Sequence, residues 1–276
     1  MTDILIDADE LAAALGSDRP PVVLDVRWTL GGPPGDAAHR AGHIPGAVFV
    51  PLDEELASHG APTDGRHRLP SLEALQRAAR RWGVNDDSAV VVHDDNGNLA
   101  AARAWWLLRW AGFTHVRILD GALAAWIASG RGLETGEVSP APGSVTLTSG
   151  ALPVLELDDV AAFAASGVLL DARAGERFRG ETEPIDPKAG HIPGALSAPT
   201  TDNLAPDGRF RSPAELRARF AALGADGSRP VAAYCGSGVT AAHEVAALAI
   251  AGVDAALYPG SWSQWSNLDL PVATGP

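Results

Sequence analysis

The hydrophobic pattern of this chain alternates between two kinds of segment. Short apolar runs such as 22–27 (VVLDVR) and 168–173 (VLLDAR) have the length of buried strands. Longer segments at 71–83 and 212–224 have apolar residues at helical spacing, begin with Ser and end at Gly, which are good helix caps. This alternation predicts an α/β fold in which each domain is a mostly parallel sheet flanked by helices.

The same motifs occur twice along the chain, in the same order. The sequence AGHIPGA stands at 41–47 and is repeated letter for letter at 189–195. The other paired markers are the two Asp-x-Arg runs above, DGRHR (64–68) with DGRFR (207–211), AVVVH (89–93) with PVAAY (230–234), and a Gly followed five residues later by Trp near the end of each half. The chain is therefore a tandem duplication.

A composition change separates the two copies. The stretch from about 134 to 152 is rich in Gly, Pro, Ser and Thr and has no apolar period, which is typical of a linker. We expect a first domain at 1–135, a linker at 136–152 and a second domain at 153–276.

Charge and composition exclude several classes of partner. The net charge of -13, with Lys188 as the only lysine, argues against nucleic-acid binding. The N-terminus does not have the pattern of a signal peptide, no apolar run is long enough to span a bilayer, and the single cysteine forms no internal disulfide. A soluble cytoplasmic protein is expected.

Metal and nucleotide chemistry are not predicted either. The eight His are scattered without the spacing of metal ligands, and the chain has neither a GxxxxGK[ST] nor a GxGxxG loop. We expect no metal and no cofactor.

The only cysteine, Cys235, follows a predicted strand and precedes a predicted helix. The loop CGSGV contains two glycines, so its backbone can direct several N–H groups inward toward an anion. We expect the main chain of Gly236, Gly238, Val239 and Thr240 to bind the anion and to keep Cys235 largely as a reactive thiolate. A buried, inert cysteine is the alternative, but it would be expected inside the strand or the helix.

Alignment of the two copies places Asp94 opposite Cys235. The first half keeps the loop but has a carboxylate where the second has a thiol, so it cannot perform thiol chemistry. The first domain is expected to be inactive and to form one wall of the site.

The duplication also sorts the remaining candidates. His43 and His191 occupy the same turn in both halves, so a shared structural role is the simpler interpretation. Arg177 has no counterpart, because Gly31 stands at the matching position. Arg177 and Lys188 are therefore candidates for holding an anionic substrate.

Together these motifs resemble the tandem rhodanese family across nearly the whole chain. The evidence lies in the LDxR strands, the paired HIPGA turns, DGRFR, the CGSGVTA loop and the terminal GSWSQW. Within the family the loop is similar to that of 3-mercaptopyruvate sulfurtransferases. Members that use thiosulfate typically have bulky basic residues at the positions held here by Gly236 and Ser237.

The resemblance implies a reaction and roles for named residues. The Cys235 thiolate would take sulfur from 3-mercaptopyruvate as a persulfide and pass it to cyanide or to a thiol such as thioredoxin. Arg177 would hold the substrate carboxylate, and Ser237 would polarise its carbonyl. A relay proposed in the family would join Ser237 to His43, with Asp36 as a weaker third member.

One departure keeps alternatives open. Mercaptopyruvate enzymes often have a second substrate arginine several residues beyond the first, where this chain reads EPIDPK, with Asp186 near the expected place and Lys188 as the nearest cation. A thiosulfate:cyanide sulfurtransferase and a non-catalytic persulfide-binding module are the alternative functions. A cysteine phosphatase is disfavoured, because Ala241 stands where its phosphate-binding arginine is needed.

Overall fold

The computed structural model describes residues 4–276 and divides them into two compact units. Unit 1 comprises residues up to Ala57 together with Pro70–Leu152 and Pro206–Arg209. Unit 2 comprises Ser58–Leu69, Pro153–Ala205 and Phe210–Pro276.

Unit 1 is built on a five-stranded sheet in the order β1-β5-β4-β2-β3, and every pairing is parallel. Its strands are β1 (Leu5–Ile6), β2 (Val22–Asp25), β3 (Val48–Phe49), β4 (Val90–His93) and β5 (Val116–Leu119). Its helices are α1 (Ala8–Leu15), α2 (Gly35–Ala41), α3 (Leu52–Glu55), α4 (Leu72–Arg81), α5 (Ala101–Trp110) and α6 (Ala122–Ala128).

Unit 2 repeats this plan on a four-stranded parallel sheet in the order β7-β6-β8-β9. Its strands are β6 (Val168–Asp171), β7 (Leu196–Ser197), β8 (Val231–Tyr234) and β9 (Ala255–Leu257). Its helices are α7 (Leu157–Ser166), α8 (Gly175–Phe178), α9 (Pro213–Ala222), α10 (Thr240–Ile250) and α11 (Ser261–Trp265), and short 3-10 helices lie at Pro62–Asp64 and Thr200–Asn203.

These sheets confirm the predicted fold class. All four residues of β4 and of β8 are buried, as expected for central parallel strands covered on both faces. The predicted helices are α4 and α9, and each begins after a serine whose side chain accepts a backbone N–H: Ser71 from Ala74, and Ser212 from Glu215.

Two short segments pack with a different unit from the one that the predicted domain limits assign them to. Residues 58–69 come from the first sequence repeat but belong to unit 2, and residues 206–209 come from the second repeat but belong to unit 1. Each segment contains a DGR motif, at 64–66 or 207–209. A repeat in sequence does not determine which core a surface segment packs against, so the limits 1–135 and 153–276 stay predictions.

The predicted linker at 136–152 contains no helix or strand, yet part of it packs firmly on unit 1. Val145 and Leu147 are buried, and the N–H of Val145 donates to the carbonyl of Val84 at 3.1 Å. This segment is an extension of the first unit's surface rather than a free tether.

Candidate active site

Cys235 lies directly after the carboxyl end of β8, one of the two inner strands of the unit 2 sheet, and is 2% exposed. Its Sγ atom accepts a hydrogen bond from the N–H of Gly238 at 3.1 Å. Gly238 has φ of +80°, and a Cβ there would lie 2.5 Å from the carbonyl oxygen of Pro259, so only glycine fits. The loop thus directs a main-chain donor at the sulfur.

The start of α11 supports this loop from behind. The N–H of Cys235 donates to Ser261 Oγ at 3.1 Å, and its carbonyl accepts from the N–H of Trp262 at 2.9 Å. The carbonyl of Gly236 accepts from the N–H of Ser263 at 2.8 Å. These bonds to α11 hold the loop in the conformation that directs the Gly238 N–H at the sulfur.

The remaining predicted loop residues lie where the loop becomes α10. Val239 is buried and is the residue before the helix, while Thr240 is its first residue. The helix runs to Ile250, so the positive end of its dipole lies at the loop. This arrangement favours a negative charge at or near Cys235.

Ser237 has a histidine partner that was not among the predicted site residues. His67 Nδ1 lies 2.7 Å from Ser237 Oγ, and both side chains are buried. His67 belongs to the segment 58–69 of unit 2. The signal that singles it out is the repeat itself, because DGRHR has His67 where DGRFR has Phe210.

His43, the predicted relay histidine, has other partners. Its Nδ1 lies 2.8 Å from the carbonyl oxygen of His39, and the two rings stack at 4.0 Å. His191 has matching contacts in unit 2, with Nδ1 2.8 Å from the carbonyl of Phe178 and its ring stacked on that phenyl. The shared histidine therefore holds the same turn in each unit, which is the structural interpretation of the pair.

Asp36, the weaker third member of the predicted relay, is about 40% exposed and pairs with Arg40 at 2.9 Å. The hydrogen bond from Arg40 is the main reason why the pKa of Asp36 lies below its usual value. Its contacts are those of a surface helix pair.

Two arginines converge beside Gly236. A Cβ built there would lie 3.6 Å from Arg66 Nη2 and 3.7 Å from Arg177 Nη1. The predicted candidate Arg177 comes from α8, whereas Arg66 comes from the segment 58–69 and was missed. Arg66 has an arginine opposite it in the repeat, Arg209, so comparison of the copies gave no signal.

Each of these arginines is held by a buried carboxylate. Arg177 Nη2 lies 2.6 Å from Glu183 Oε1, and Arg66 Nη1 lies 2.6 Å from Asp186 Oδ1. Burial is the largest influence and raises the pKa of Glu183, but the hydrogen bond and charge of Arg177, together with the N–H groups of Asp186 and Ile185, outweigh it, so the pKa lies below its usual value. Both guanidinium groups are therefore oriented before any ligand arrives.

Lys188, the other predicted cation, is used elsewhere. Its Nζ donates to the carbonyl oxygens of Leu268 and Leu270, at 2.6 Å and 3.5 Å. The ammonium group therefore holds the C-terminal segment against unit 2.

In unit 1 the loop that matches the Cys235 loop directs its main-chain N–H groups at the carboxylate of Asp94. The Asp94 carboxylate is fully buried and accepts four main-chain hydrogen bonds of 2.7–3.1 Å. The donors are the N–H groups of Asn96, Asn98, Ala100 and Ala101. Burial raises the pKa of Asp94, although these four bonds oppose the rise.

Comparison with known proteins shows the family of this chain. The Rhodanese-like domain family matches residues 7–129 and 156–268. A putative thiosulfate sulfurtransferase, SseB, of Mycobacterium tuberculosis is 50% identical over 96% of this chain and 94% of its own length. A probable 3-mercaptopyruvate sulfurtransferase of Pseudomonas aeruginosa is 47% identical over 98% of both chains. The crystal structure of SseA from Escherichia coli, a 3-mercaptopyruvate sulfotransferase, superposes with a TM-score of 0.84 at 35% identity, covering 95% of this chain and 99% of that one.

The repeated α/β fold and the similarity to sulfurtransferases show that this chain is an enzyme that transfers sulfur. The chain belongs to the rhodanese family, with two such domains in tandem, which confirms the resemblance seen in the sequence. Among residues 4–276, no helix is both long enough and apolar enough to cross a bilayer.

Proposed function

We propose that this enzyme moves sulfane sulfur from 3-mercaptopyruvate, through a persulfide on Cys235, to a thiol or to cyanide. The observation that carries the proposal is the Gly238 N–H bonded to Cys235 Sγ at 3.1 Å, within a loop that two arginines and a His67–Ser237 pair adjoin. The loop supplies the nucleophile, and its surroundings supply anion binding and a proton path.

In the first half-reaction the Cys235 thiolate attacks the sulfur of the donor. A new S–S bond forms, the C–S bond breaks, and its electron pair passes to carbon as the enolate of pyruvate. The proton of the donor thiol passes to that enolate, which releases pyruvate and leaves an anionic persulfide on Cys235. Ser237, hydrogen-bonded to His67, polarises the carbonyl and conducts the proton.

The persulfide formed on Cys235 keeps one negative charge. The main chain of Gly236, Gly238, Val239 and Thr240, at the start of α10, stabilises that charge. An acceptor thiolate then attacks the outer sulfur, the S–S bond breaks, and the Cys235 thiolate is regenerated. With cyanide as the acceptor, the product is thiocyanate.

The substrate carboxylate is held by Arg177, with Arg66 as the second cation. A guanidinium group presents a planar pair of donors that fits a carboxylate. Arg66 fills the role that the sequence suggested for Lys188, and in this proposal the relay histidine is His67 rather than His43.

Thiosulfate is the second candidate donor, because the Mycobacterium tuberculosis relative is named for it. The space beside Gly236 favours 3-mercaptopyruvate. Glycine and serine follow the cysteine, and the adjacent cations come from outside the loop. A bulky basic side chain at 236 would have to share this space with both guanidinium groups.

The same proposal includes a sulfur acceptor and a cellular location. A thioredoxin-like dithiol would release the outer sulfur as sulfide by closing its own disulfide. A reducing cytoplasm would keep the lone Cys235 available between turnovers.

Intact mass and steady-state kinetics test the proposal together. Incubation with 3-mercaptopyruvate should add one sulfur atom to the wild-type protein, and a thiol acceptor should remove it. Cys235→Ser should remain at its original mass and show no turnover with either donor. A higher kcat/KM for thiosulfate than for 3-mercaptopyruvate would contradict the donor assignment, and a sulfur adduct on Cys235→Ser would contradict the persulfide.

A further inference from the structure

We propose that Asp186 sets the charge of the substrate site and so selects donors with one negative charge over donors with two. The inference rests on the proposed sulfurtransfer at Cys235 and assigns a specificity role to a residue that does not itself contact the sulfur. It starts from the contact between Asp186 and Arg66.

Asp186 is a buried carboxylate whose partners are cations of the site. Its side chain is 1% exposed, with Oδ1 2.6 Å from Arg66 Nη1 and Oδ2 3.4 Å from Arg66 Nη2. Its Oδ2 also lies 3.5 Å from Arg177 Nη2. One carboxylate therefore touches both of the guanidinium groups that flank Gly236.

The charges around Gly236 balance only because Asp186 is present. Arg66 and Arg177 contribute two positive charges, and Glu183 and Asp186 contribute two negative ones. Behind them a further pair, Arg173 with Asp171, is also neutral. The site thus offers oriented N–H donors with no net positive charge.

A site of this kind discriminates by charge. A single carboxylate, as in 3-mercaptopyruvate, gains the directed hydrogen bonds of the arginines at little electrostatic cost. A second negative charge, as in thiosulfate or sulfate, gains less because Asp186 lies just behind Arg66 and repels it.

The sequence departure at Asp186 thus has a physical role. The carboxylate of Asp186 partners an arginine that belongs to the segment 58–69. Arg66 supplies the second cation, and the carboxylate of Asp186 that holds it also neutralises its charge.

Asp186→Asn tests this role, since asparagine keeps the shape and one acceptor oxygen while removing the charge. The ratio of kcat/KM for thiosulfate to that for 3-mercaptopyruvate should rise roughly fivefold or more. Sulfate cannot react, and calorimetry should show that the variant binds it at least about fivefold more tightly than the wild type does. Added salt should reduce this gain in affinity. Asp254→Asn, which removes an exposed carboxylate from the same unit, should change neither quantity.

Arg66→Gln provides the opposite change in charge and should lower both the donor ratio and sulfate affinity. Combined with Asp186→Asn, it should abolish the gain for dianions. An unchanged ratio and unchanged sulfate affinity in a folded Asp186→Asn protein, or equal gains in Asp254→Asn, would overturn the proposal. Failure of the wild type to turn over either donor would instead refute the sulfurtransfer, and sulfate binding would still decide the role of Asp186.

Discussion

His67 Nδ1 lies 2.7 Å from Ser237 Oγ, although the two residues are 170 positions apart in the chain. Both side chains are buried, so the imidazole fixes where the hydroxyl points. In the proposed reaction that hydroxyl polarises the substrate carbonyl. The histidine thus positions the hydroxyl group and, in the proposed reaction, takes part in proton transfer.

We expect His67→Gln to lower kcat with 3-mercaptopyruvate by about 10²-fold or more, because the proton path to the enolate is lost. KM should change little, since the cations remain. His43→Gln is the matched control, and once folded it should keep kcat near the wild-type value. Equal losses of kcat in the two variants would contradict the assignment.

Arg177→Ala should reduce kcat/KM for 3-mercaptopyruvate by a factor corresponding to about 2 kcal/mol, the scale of a charge-assisted hydrogen bond. Arg179→Ala is the control, because Arg179 lies two residues away and pairs with Glu181 at the surface. Steady-state kinetics on both variants checks the expectation. A near-normal Arg177→Ala enzyme would remove Arg177 from the substrate site.

Asp94→Asn should destabilise the protein by about 2–4 kcal/mol, because an amide NH2 would then face N–H groups that now donate to the carboxylate. Denaturant unfolding measures the change. Asp95→Asn, next in the chain and exposed, should stay within about 0.5 kcal/mol of wild type. The same cost in both variants would show that the buried bonds contribute little.

Glu244 predicts a pH dependence of stability. Burial raises its pKa to about 7, against the opposing influence of Arg219 and the hydrogen bond from Asn203, while Asp202 adds to the rise. Between the unfolded value of 4.5 and about 7 the folded protein keeps a proton that the unfolded chain has lost. The free energy of unfolding should therefore fall as pH rises through this window, by about 3 kcal/mol in total.

Glu244→Gln removes that proton and should remove this part of the pH dependence. Denaturant unfolding at about pH 5 and about pH 8 checks this expectation. Between these two values the free energy of unfolding of the variant, relative to that of the wild type, should rise by about 3 kcal/mol. A stability difference that stays constant with pH would show that Glu244 does not titrate in this range.

Lys188→Met is expected to act on stability and not on substrate binding, because Nζ holds the carbonyls of Leu268 and Leu270. We expect a loss of about 1 kcal/mol in the free energy of unfolding and an unchanged KM. A rise in KM comparable to that of Arg177→Ala would restore Lys188 to the substrate site.

The sequence alone determined the α/β class, the duplication and the position of Cys235, because each depends on local signals. Period, capping residues and a glycine-rich turn after a strand act over a few residues, and alignment of the two copies then separates Cys235 from Asp94. The same alignment places His67 opposite Phe210. That difference lies inside the DGRHR and DGRFR motifs, which were used only as evidence for the repeat.

Only the tertiary structure decided which side chains meet that cysteine. The segment 58–69 packs with unit 2, and this brings Arg66 to Asp186 and His67 to Ser237. Such contacts depend on how buried surfaces and charges are satisfied across more than a hundred residues of chain. No periodicity or motif encodes that choice, and the packing gives Lys188 and His43 partners that the sequence did not indicate.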